Sequence, residues 1–250
     1  MSIRHYIPNA LTCSNLVCGC LGLVAVLEGK LIWAPYLIWL AGLFDFLDGF
    51  AARQLKVSSP IGGELDSLAD MVTFGVLPSM LLFVMLREPN LAGLEMAGID
   101  MASWDLPGMT MPGWVPYLAF VVAVFSALRL AKFNVDTRQT TSFIGVPTPA
   151  NALLISSFPL IVQQQPDWSF IWHPAFLLAV AFGMSFLLVA EIPLFALKFK
   201  DFSWQGNRIK YIFLLLSVLL IIFFKFVAIP LIILLYVFLS LLTKEPEVVR

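Results

Sequence analysis

Apolar stretches, each about 20 residues long and separated by short polar segments, run the length of the chain. Eight such stretches lie at residues 9–28, 31–53, 64–86, 114–135, 146–164, 174–197, 209–226 and 228–243. A helix of that length crosses the hydrocarbon core of a bilayer. The pattern therefore predicts an all-α, polytopic membrane bundle of about eight helices in a single domain over residues 1–250. Only Lys225 and Pro230 mark the boundary between the last two stretches, so one long kinked helix is the alternative there.

The composition agrees with a membrane protein. Hydrophobic residues make up 60% and charged residues 12% of the 250 residues, and the mean hydropathy is +0.91, whereas soluble domains carry about 25% charged residues. The net charge of −1 says little about partners, although we expect no nucleic acid among them. Three cysteines without a CxxC spacing predict no disulfide framework, and two distant histidines predict no His-based metal site. The first stretch has no clear A-x-A cleavage site, so we expect it to be a retained span.

The basic residues are distributed unevenly between the two sides of the predicted bundle. With the N-terminus inside, three of them, Lys30, Arg87 and Lys225, fall on the outer side. The other twelve fall on the inner side or at its boundary: Arg4, Arg53, Lys56, Arg129, Lys132, Arg138, Lys198, Lys200, Arg208, Lys210, Lys244 and Arg250. Lys and Arg are enriched in cytoplasmic loops, so we expect an even number of spans in a cell (inner) membrane. The acidic loop 87–113 should lie outside, with a short interfacial helix possible within it.

Four carboxylates lie at the adjoining ends of two apolar stretches: Asp45, Asp48, Asp66 and Asp70. Residues three or four apart share a helix face, so each pair should face one site, and acids in membrane segments usually mark a functional site. Arg53 is the one base within this pattern, so the acids either take up protons or bind hard divalent cations. Oxygen ligands without His or Cys favour Mg²⁺ or Mn²⁺ over Zn²⁺. Such metals beside Gly49 and an arginine suggest a phosphate or diphosphate substrate.

A second polar group lies at the cytoplasmic end of the fourth stretch, where Arg129 and Lys132 share a helix face and Asn134 follows. These cations could simply extend to the membrane surface, or the deeper Arg129 could bind a carboxylate or phosphate. Thr148, beside the prolines that open the fifth stretch, fits either helix capping or a functional role. Glu191, near the end of the sixth stretch, is expected to pair with a base such as Lys198 and to lie outside the site.

The acids belong to a longer pattern, Asp45-x2-Asp48-Gly49-x2-Ala52-Arg53-x8-Gly62-x3-Asp66-x3-Asp70. Its eight positions fit the signature of the CDP-alcohol phosphotransferases, which the chain therefore resembles. Further stretches resemble the membrane-embedded phosphatidylserine synthase branch of that family. These are IPNALTCSNLVCG at 7–19, DSLADMVTFGVLPS at 66–79, SALRLAKFN at 126–134 and GVPTPANA at 145–152.

The resemblance implies a reaction and roles for individual residues. A phosphatidyl group would pass from CDP-diacylglycerol to the hydroxyl of L-serine with release of CMP, at a site with two Mg²⁺ or Mn²⁺ ions. Asp45, Asp48 and Asp66 would be metal ligands, and Asp70 would be both ligand and general base. The predicted CDP-diacylglycerol pocket comprises Asn9, Thr12, Gly49, Ala52, Arg53, Ser59 and Gly62. The predicted serine site comprises Arg129, Lys132, Asn134 and Thr148. The resemblance also implies a homodimer and a six-helix core over about 1–200, with extra helices at about 209–243.

Two alternatives remain open at this stage. The same chemistry could use another acceptor, such as glycerol 3-phosphate, inositol phosphate or choline, because the motif handles only the CDP half. A cation-coupled transporter could also place acids in a membrane. A transporter would more often show paired repeats and helices broken at mid-membrane, and no repeat is visible here.

Overall fold

The computed structural model describes residues 6–57, 59–87, 112–136, 143–195 and 204–242. Its α-helices are α1 (Tyr6–Leu27), α2 (Trp33–Leu55), α3 (Pro60–Asp70), α4 (Leu77–Arg87), α5 (Val121–Val135), α6 (Thr148–Gln164), α7 (Pro174–Val189), α8 (Trp204–Phe224) and α9 (Ala228–Leu242). A π-helix (Met71–Val76) joins α3 to α4, and 3₁₀ helices occupy Val115–Phe120, Pro166–Trp172 and Lys225–Val227. Strands β1 (Phe143–Ile144) and β2 (Pro193–Leu194) pair in an antiparallel manner. The predicted interfacial helix between 87 and 113 falls largely outside the described residues.

Helix is present in each of the eight predicted stretches, which confirms the all-α membrane class. Within the described residues, five helical stretches are long and apolar enough to span a membrane. They are Tyr6–Leu27, Trp33–Leu55, Pro60–Arg87, Val115–Val135 and Asn207–Leu242. Counted as one span, the bent pair Pro166–Trp172 and Pro174–Val189 makes a sixth. This number is lower than the eight predicted because α6 has only 17 residues and because Asn207–Leu242, which contains both α8 and α9, is counted once.

The last two helices form a hairpin. The rings of Phe213 on α8 and Tyr236 on α9 lie 5.6 Å apart, although a continuous helix would separate them by about 34 Å at 1.5 Å per residue. The chain reverses at Lys225–Val227, where Lys225 has a left-handed φ of 49°. The alternative of one long kinked helix is therefore wrong, even though most of Asn207–Leu242 is strongly apolar.

The core lies where α1, the π-helix, α4 and α6 meet, and its largest buried side chains include Phe74, Leu77 and Ile155. Gly19 allows α1 to approach the π-helix closely, because a Cβ at this position would overlap the Thr73 side chain. Thr73 in turn donates a hydrogen bond to the backbone oxygen of Asn15 at 3.2 Å. The close approach sets the carboxyl end of α3 against the buried face of α1. Small residues at helix contacts serve the same purpose in other membrane bundles.

Residues 143–146, here called the strap, fasten the start of α6 to the end of α7. The backbone N–H of Gly145 donates to Ile192 O at 3.0 Å, and that of Val146 donates to Leu187 O at 2.9 Å. Gly145 has a φ of +74°, and carbonyl oxygens at the end of α7 occupy the place where a Cβ would project. Only glycine adopts this conformation without strain. The sequence analysis did not predict the strap or its two short strands.

The C-terminal hairpin is tied to the same region. The hydroxyl of Tyr236 donates to the backbone oxygen of Phe195, just after β2, at 2.8 Å. The Phe195 ring packs against Tyr236 at 4.9 Å and against Phe213 at 5.8 Å between centroids. The extra helices therefore support β2, and through β2 they support the strap.

Candidate active site

Three of the four predicted acids converge at the junction of α2 and α3. Oxygen atoms of Asp45, Asp48 and Asp66 lie within 4.8 Å of one another. No arginine or lysine of the described residues forms an ion pair with them. Asp66 Oδ1 is buried and has no hydrogen-bond partner there. Hard divalent cations take carboxylate oxygens as ligands, so this cluster has the donor set and the unpaired oxygen that such a cation requires.

Asp70 lies beside this cluster but outside the group of three. It is 8% exposed, and it interacts electrostatically with Asp45, Asp66 and Asp48. Asn15 Nδ2 donates to Asp70 Oδ1 at 3.0 Å, whereas no described residue bonds Oδ2. The predicted role of Asp70 as a direct metal ligand stays a prediction, and its free Oδ2 is available to a substrate.

Helix α1 supplies two polar side chains that orient these acids. Thr12 Oγ1 lies 2.7 Å from Asp48 Oδ2 and 3.1 Å from Pro8 O, so its single proton can go to either. Thr12 was predicted to bind nucleotide, and its described contact is with an acid. Asn15 was not predicted at all. The sequence does contain a pattern that could have predicted Asn15. It lies three residues after Thr12, so the two side chains share one face of the helix.

A cleft of about 260 Å³ opens beside the acid cluster, and we call it the first cleft. Its lining comprises Pro8, Asn9, Thr12, Asp48, Gly49, Ala52, Val57, Ser59, Gly62, Gly63 and Asp66. Ser59 caps α3, and its Oγ accepts a hydrogen bond from the Gly62 N–H at 3.0 Å. The first cleft thus brings together most of the predicted CDP-diacylglycerol residues at the N-terminus of α3. Backbone N–H groups at such a terminus favour phosphate.

Arg53 is the predicted donor-site residue that does not line the first cleft. Its side chain is exposed, and a Cβ built on Gly49 would lie 3.3 Å from its Nη1. The guanidinium therefore lies along α2 over the space that Gly49 leaves open.

A second cleft, of about 280 Å³, lies between the end of α5, the strap and the end of α7. Its lining comprises Arg129, Lys132, Phe133, Val135, Asp136, Ile144, Leu188, Val189 and Glu191. Arg129 is only 7% exposed, which argues against simple extension to the membrane surface. Its Nε donates to Val146 O at 2.9 Å, and its guanidinium lies 5.5 Å from the Phe133 ring centroid. It also interacts electrostatically with Asp70, which links the second cleft to the acid cluster.

The other predicted serine-site residues are placed differently. Lys132 is exposed and lines the second cleft with Arg129. Asn134 is outside the lining, and its Nδ2 donates to Ser67 Oγ at 3.0 Å, joining α5 to α3 between Asp66 and Asp70. Thr148 is also outside the lining, is fully buried, and has no hydrogen bond to its hydroxyl from the described residues. The structure therefore brings together two of the four.

Glu191, an isolated acid near the end of the sixth stretch, was expected to pair with a base such as Lys198 and to lie outside the site. That pairing stays a prediction. In the structure Glu191 lines the second cleft. No cation of the described residues lies within 4.0 Å of it, and Lys198 lies outside those residues.

An acid cluster beside a cleft at the N-terminus of α3, within a bundle of membrane helices, agrees with the family to which the sequence is matched. The chain belongs to the CDP-alcohol phosphatidyltransferase family, which it matches over residues 5–243. It is therefore a membrane-bound transferase of phospholipid synthesis.

Individual relatives carry a more specific name. The chain is 32% identical over 189 residues to the CDP-diacylglycerol–serine O-phosphatidyltransferase of Bacillus subtilis, a match that covers 75% of this chain and 89% of the relative. It is 31% identical to the protein of that name from Mycobacterium bovis, over 75% of this chain and 60% of the relative. It is 34% identical to that from Methanocaldococcus jannaschii, over 65% of each chain.

Proposed function

We propose that this protein transfers the phosphatidyl group of CDP-diacylglycerol to the hydroxyl of L-serine, giving phosphatidylserine and CMP. The observation that carries the proposal is the position of Asp70. This carboxylate interacts electrostatically both with the three-acid cluster and with Arg129. A base at that point can serve a donor bound at the acids and an acceptor bound near Arg129. The names of the relatives support serine as the acceptor.

The first cleft is proposed to bind the CDP part of the donor. Asn9, Ser59 and Gly62 surround the N-terminus of α3, where N–H groups and the helix dipole favour a diphosphate. Two Mg²⁺ or Mn²⁺ ions, when bound by the acids, would neutralise the diphosphate and the charge that develops on departing CMP. Thr12 keeps Asp48 oriented through its hydrogen bond. Arg53, over Gly49, supplies a positive charge at the edge of this cleft.

Asp70 is proposed to act as the general base. A serine hydroxyl is a weak nucleophile, so a carboxylate within hydrogen-bond reach must accept its proton. The hydroxyl oxygen then bonds to the phosphatidyl phosphorus as the bond from that phosphorus to the CMP oxygen breaks. Asn15 holds Oδ1 of Asp70, which leaves Oδ2 for the proton.

Arg129 and Lys132 are proposed to bind the carboxylate of serine. Arg129 is fixed by its bond to Val146 O and by the Phe133 ring, so its terminal nitrogens can meet a planar carboxylate in a defined orientation. Lys132, one turn further on, adds a second charge at the exposed mouth of the cleft. This mouth would open to the cytoplasm, which the distribution of basic residues favours. A homodimer is part of the same proposal, and cross-linking in membranes would test it.

The test is CMP release by the purified full chain with CDP-diacylglycerol and either Mg²⁺ or Mn²⁺. Serine, glycerol 3-phosphate, inositol phosphate and choline are offered separately. We expect release that requires both serine and metal. Release with a different acceptor would keep the phosphotransfer mechanism and overturn serine, and absence of release from folded protein with all four acceptors would overturn the proposal.

A further inference from the structure

Glu191 lines the second cleft, as Asp136 also does, and has no role in the reaction described above. Its backbone is fixed although its side chain is exposed. The N–H of Ala190 bonds Phe186 O at 3.0 Å, and the carbonyl of Ile192 accepts from Gly145 N at 3.0 Å. The strap therefore holds Glu191 in the same structural unit as Val146, whose carbonyl fixes Arg129.

The charges that line this cleft are of both signs. Arg129 and Lys132 line it together with Glu191, yet neither cation lies within 4.0 Å of the Glu191 carboxylate. The cavity of about 280 Å³ between them has room for a small polar molecule. Its remaining lining is largely apolar and includes Phe133, Ile144 and Leu188. Charges act more strongly on a ligand beside such a surface than in bulk water.

We propose that Glu191 binds the ammonium group of a zwitterionic amino-acid acceptor whose carboxylate is held by Arg129 and Lys132. The inference rests on the proposed function, and it adds a residue that selects the acceptor. A free α-amino acid presents both charges close together, so it can satisfy both signs at once. Glycerol 3-phosphate and inositol phosphate bring only negative charge, which Glu191 repels, and choline has no carboxylate for Arg129. Repulsion of the wrong ligand contributes to specificity as much as attraction of the right one.

The test compares serine with 3-hydroxypropanoate, which keeps the hydroxyl and carboxylate but lacks the ammonium group. CMP release is measured for the unmodified protein and for Glu191→Gln, with saturating CDP-diacylglycerol and metal. We expect Glu191→Gln to raise the KM for serine about 10- to 100-fold, the range for losing one charge-assisted contact. The KM for CDP-diacylglycerol should stay unchanged. The preference for serine over 3-hydroxypropanoate should fall by at least about tenfold, because only serine loses a partner.

A matched control is Glu28→Gln, since Glu28 is an exposed glutamate that pairs with Lys30 far from both clefts. This variant should keep the serine KM and the preference. If Glu191→Gln weakens both acceptors equally, or leaves the preference unchanged, Glu191 does not bind ammonium, while serine transfer stands. If the unmodified protein uses glycerol 3-phosphate instead of serine, both the proposed acceptor and the proposed role of Glu191 are wrong.

Discussion

The two clefts are built in opposite ways. The first is lined by small and acidic residues from the start of α1, the end of α2 and the start of α3, and most of them belong to the stretch 45–70. The second is lined by charges of both signs on α5 and just after α7, with the strap between them. One cleft depends on a short-range motif, and the other depends on how distant segments pack. Under the proposed assignment of donor to the first cleft and acceptor to the second, donor binding would be encoded locally and acceptor choice by tertiary structure.

The largest expected effect is at Asp70, which interacts electrostatically with both the acid cluster and Arg129. Asp70→Asn should lower the turnover number by about 10²- to 10⁴-fold, the contribution typical of a general base. The amide oxygen can still accept the hydrogen bond from Asn15, so folding and donor binding should persist. Turnover is measured as CMP release, and binding as the thermal shift caused by CDP-diacylglycerol. Asp167→Asn, at an exposed position in the turn before α7, should behave as unmodified protein. Near-normal turnover of Asp70→Asn would show that another group takes the proton.

A substitution at Thr12 should affect the first cleft without affecting the second. Thr12→Val removes the hydrogen bond to Asp48 and keeps the side-chain volume. We expect the metal concentration for half-maximal CMP release to rise about 10- to 100-fold, as for other residues that orient metal ligands. The metal concentration needed for thermal stabilisation should rise in parallel, and the serine KM should not change.

Ser14→Ala is the matched control for Thr12→Val, because the Ser14 hydroxyl bonds only Ala10 O on the same helix. An equal change in metal dependence for both variants would mean that α1, and not the bond to Asp48, is responsible.

A substitution in the strap should affect the second cleft without affecting the first. Gly145→Ala places a Cβ against carbonyl oxygens at the end of α7, in a conformation with φ of +74°. The strain should reduce stability by about 1–3 kcal/mol and raise the serine KM, with the metal dependence unchanged. Gly183→Ala is the control, since a Cβ there meets no atom within 4 Å. If Gly145→Ala shifts metal dependence as much as serine KM, the two clefts are not independent.

The smallest expected effect is at the C-terminal hairpin. Tyr236→Phe keeps the ring but removes the hydrogen bond to Phe195 O, a loss of about 1 kcal/mol. We expect the Tm to fall by about 2–4 °C for a chain of this size, with a slight rise in the serine KM and none in the metal requirement. Tyr117→Phe, whose exposed ring packs on Phe83, should leave both quantities unchanged. An unchanged Tm for Tyr236→Phe would remove the hairpin from the support of the second cleft.

Hydropathy predicted the helices because a membrane span is defined by its own sequence. The acid cluster was predictable for a similar reason, since Asp45, Asp48 and Asp66 lie close together along the chain and a helix fixes which residues share a face. Asn15 was missed because its partner Asp70 is 55 residues away. The strap was missed because it depends on the pairing of Gly145 with Ile192. Neither segment has a sequence pattern that predicts its pairing with the other. The sequence could not decide between a reversal at Lys225 and one long kinked helix, because apolar residues flank Lys225 on both sides.

The π-helix at Met71–Val76 controls how the acids are aimed. A π turn holds about one residue more than an α turn, and each α-helical residue advances the side chains by about 100° around the axis. Deleting one residue from this segment would let the helix continue as α, and Asp66 and Asp70 would rotate by roughly that angle relative to the buried face of α4. One additional residue thus acts as an angular offset. Asp66 and Asp70, before the π-helix, can thereby face the acid cluster, while the buried leucines of α4, after it, face the core.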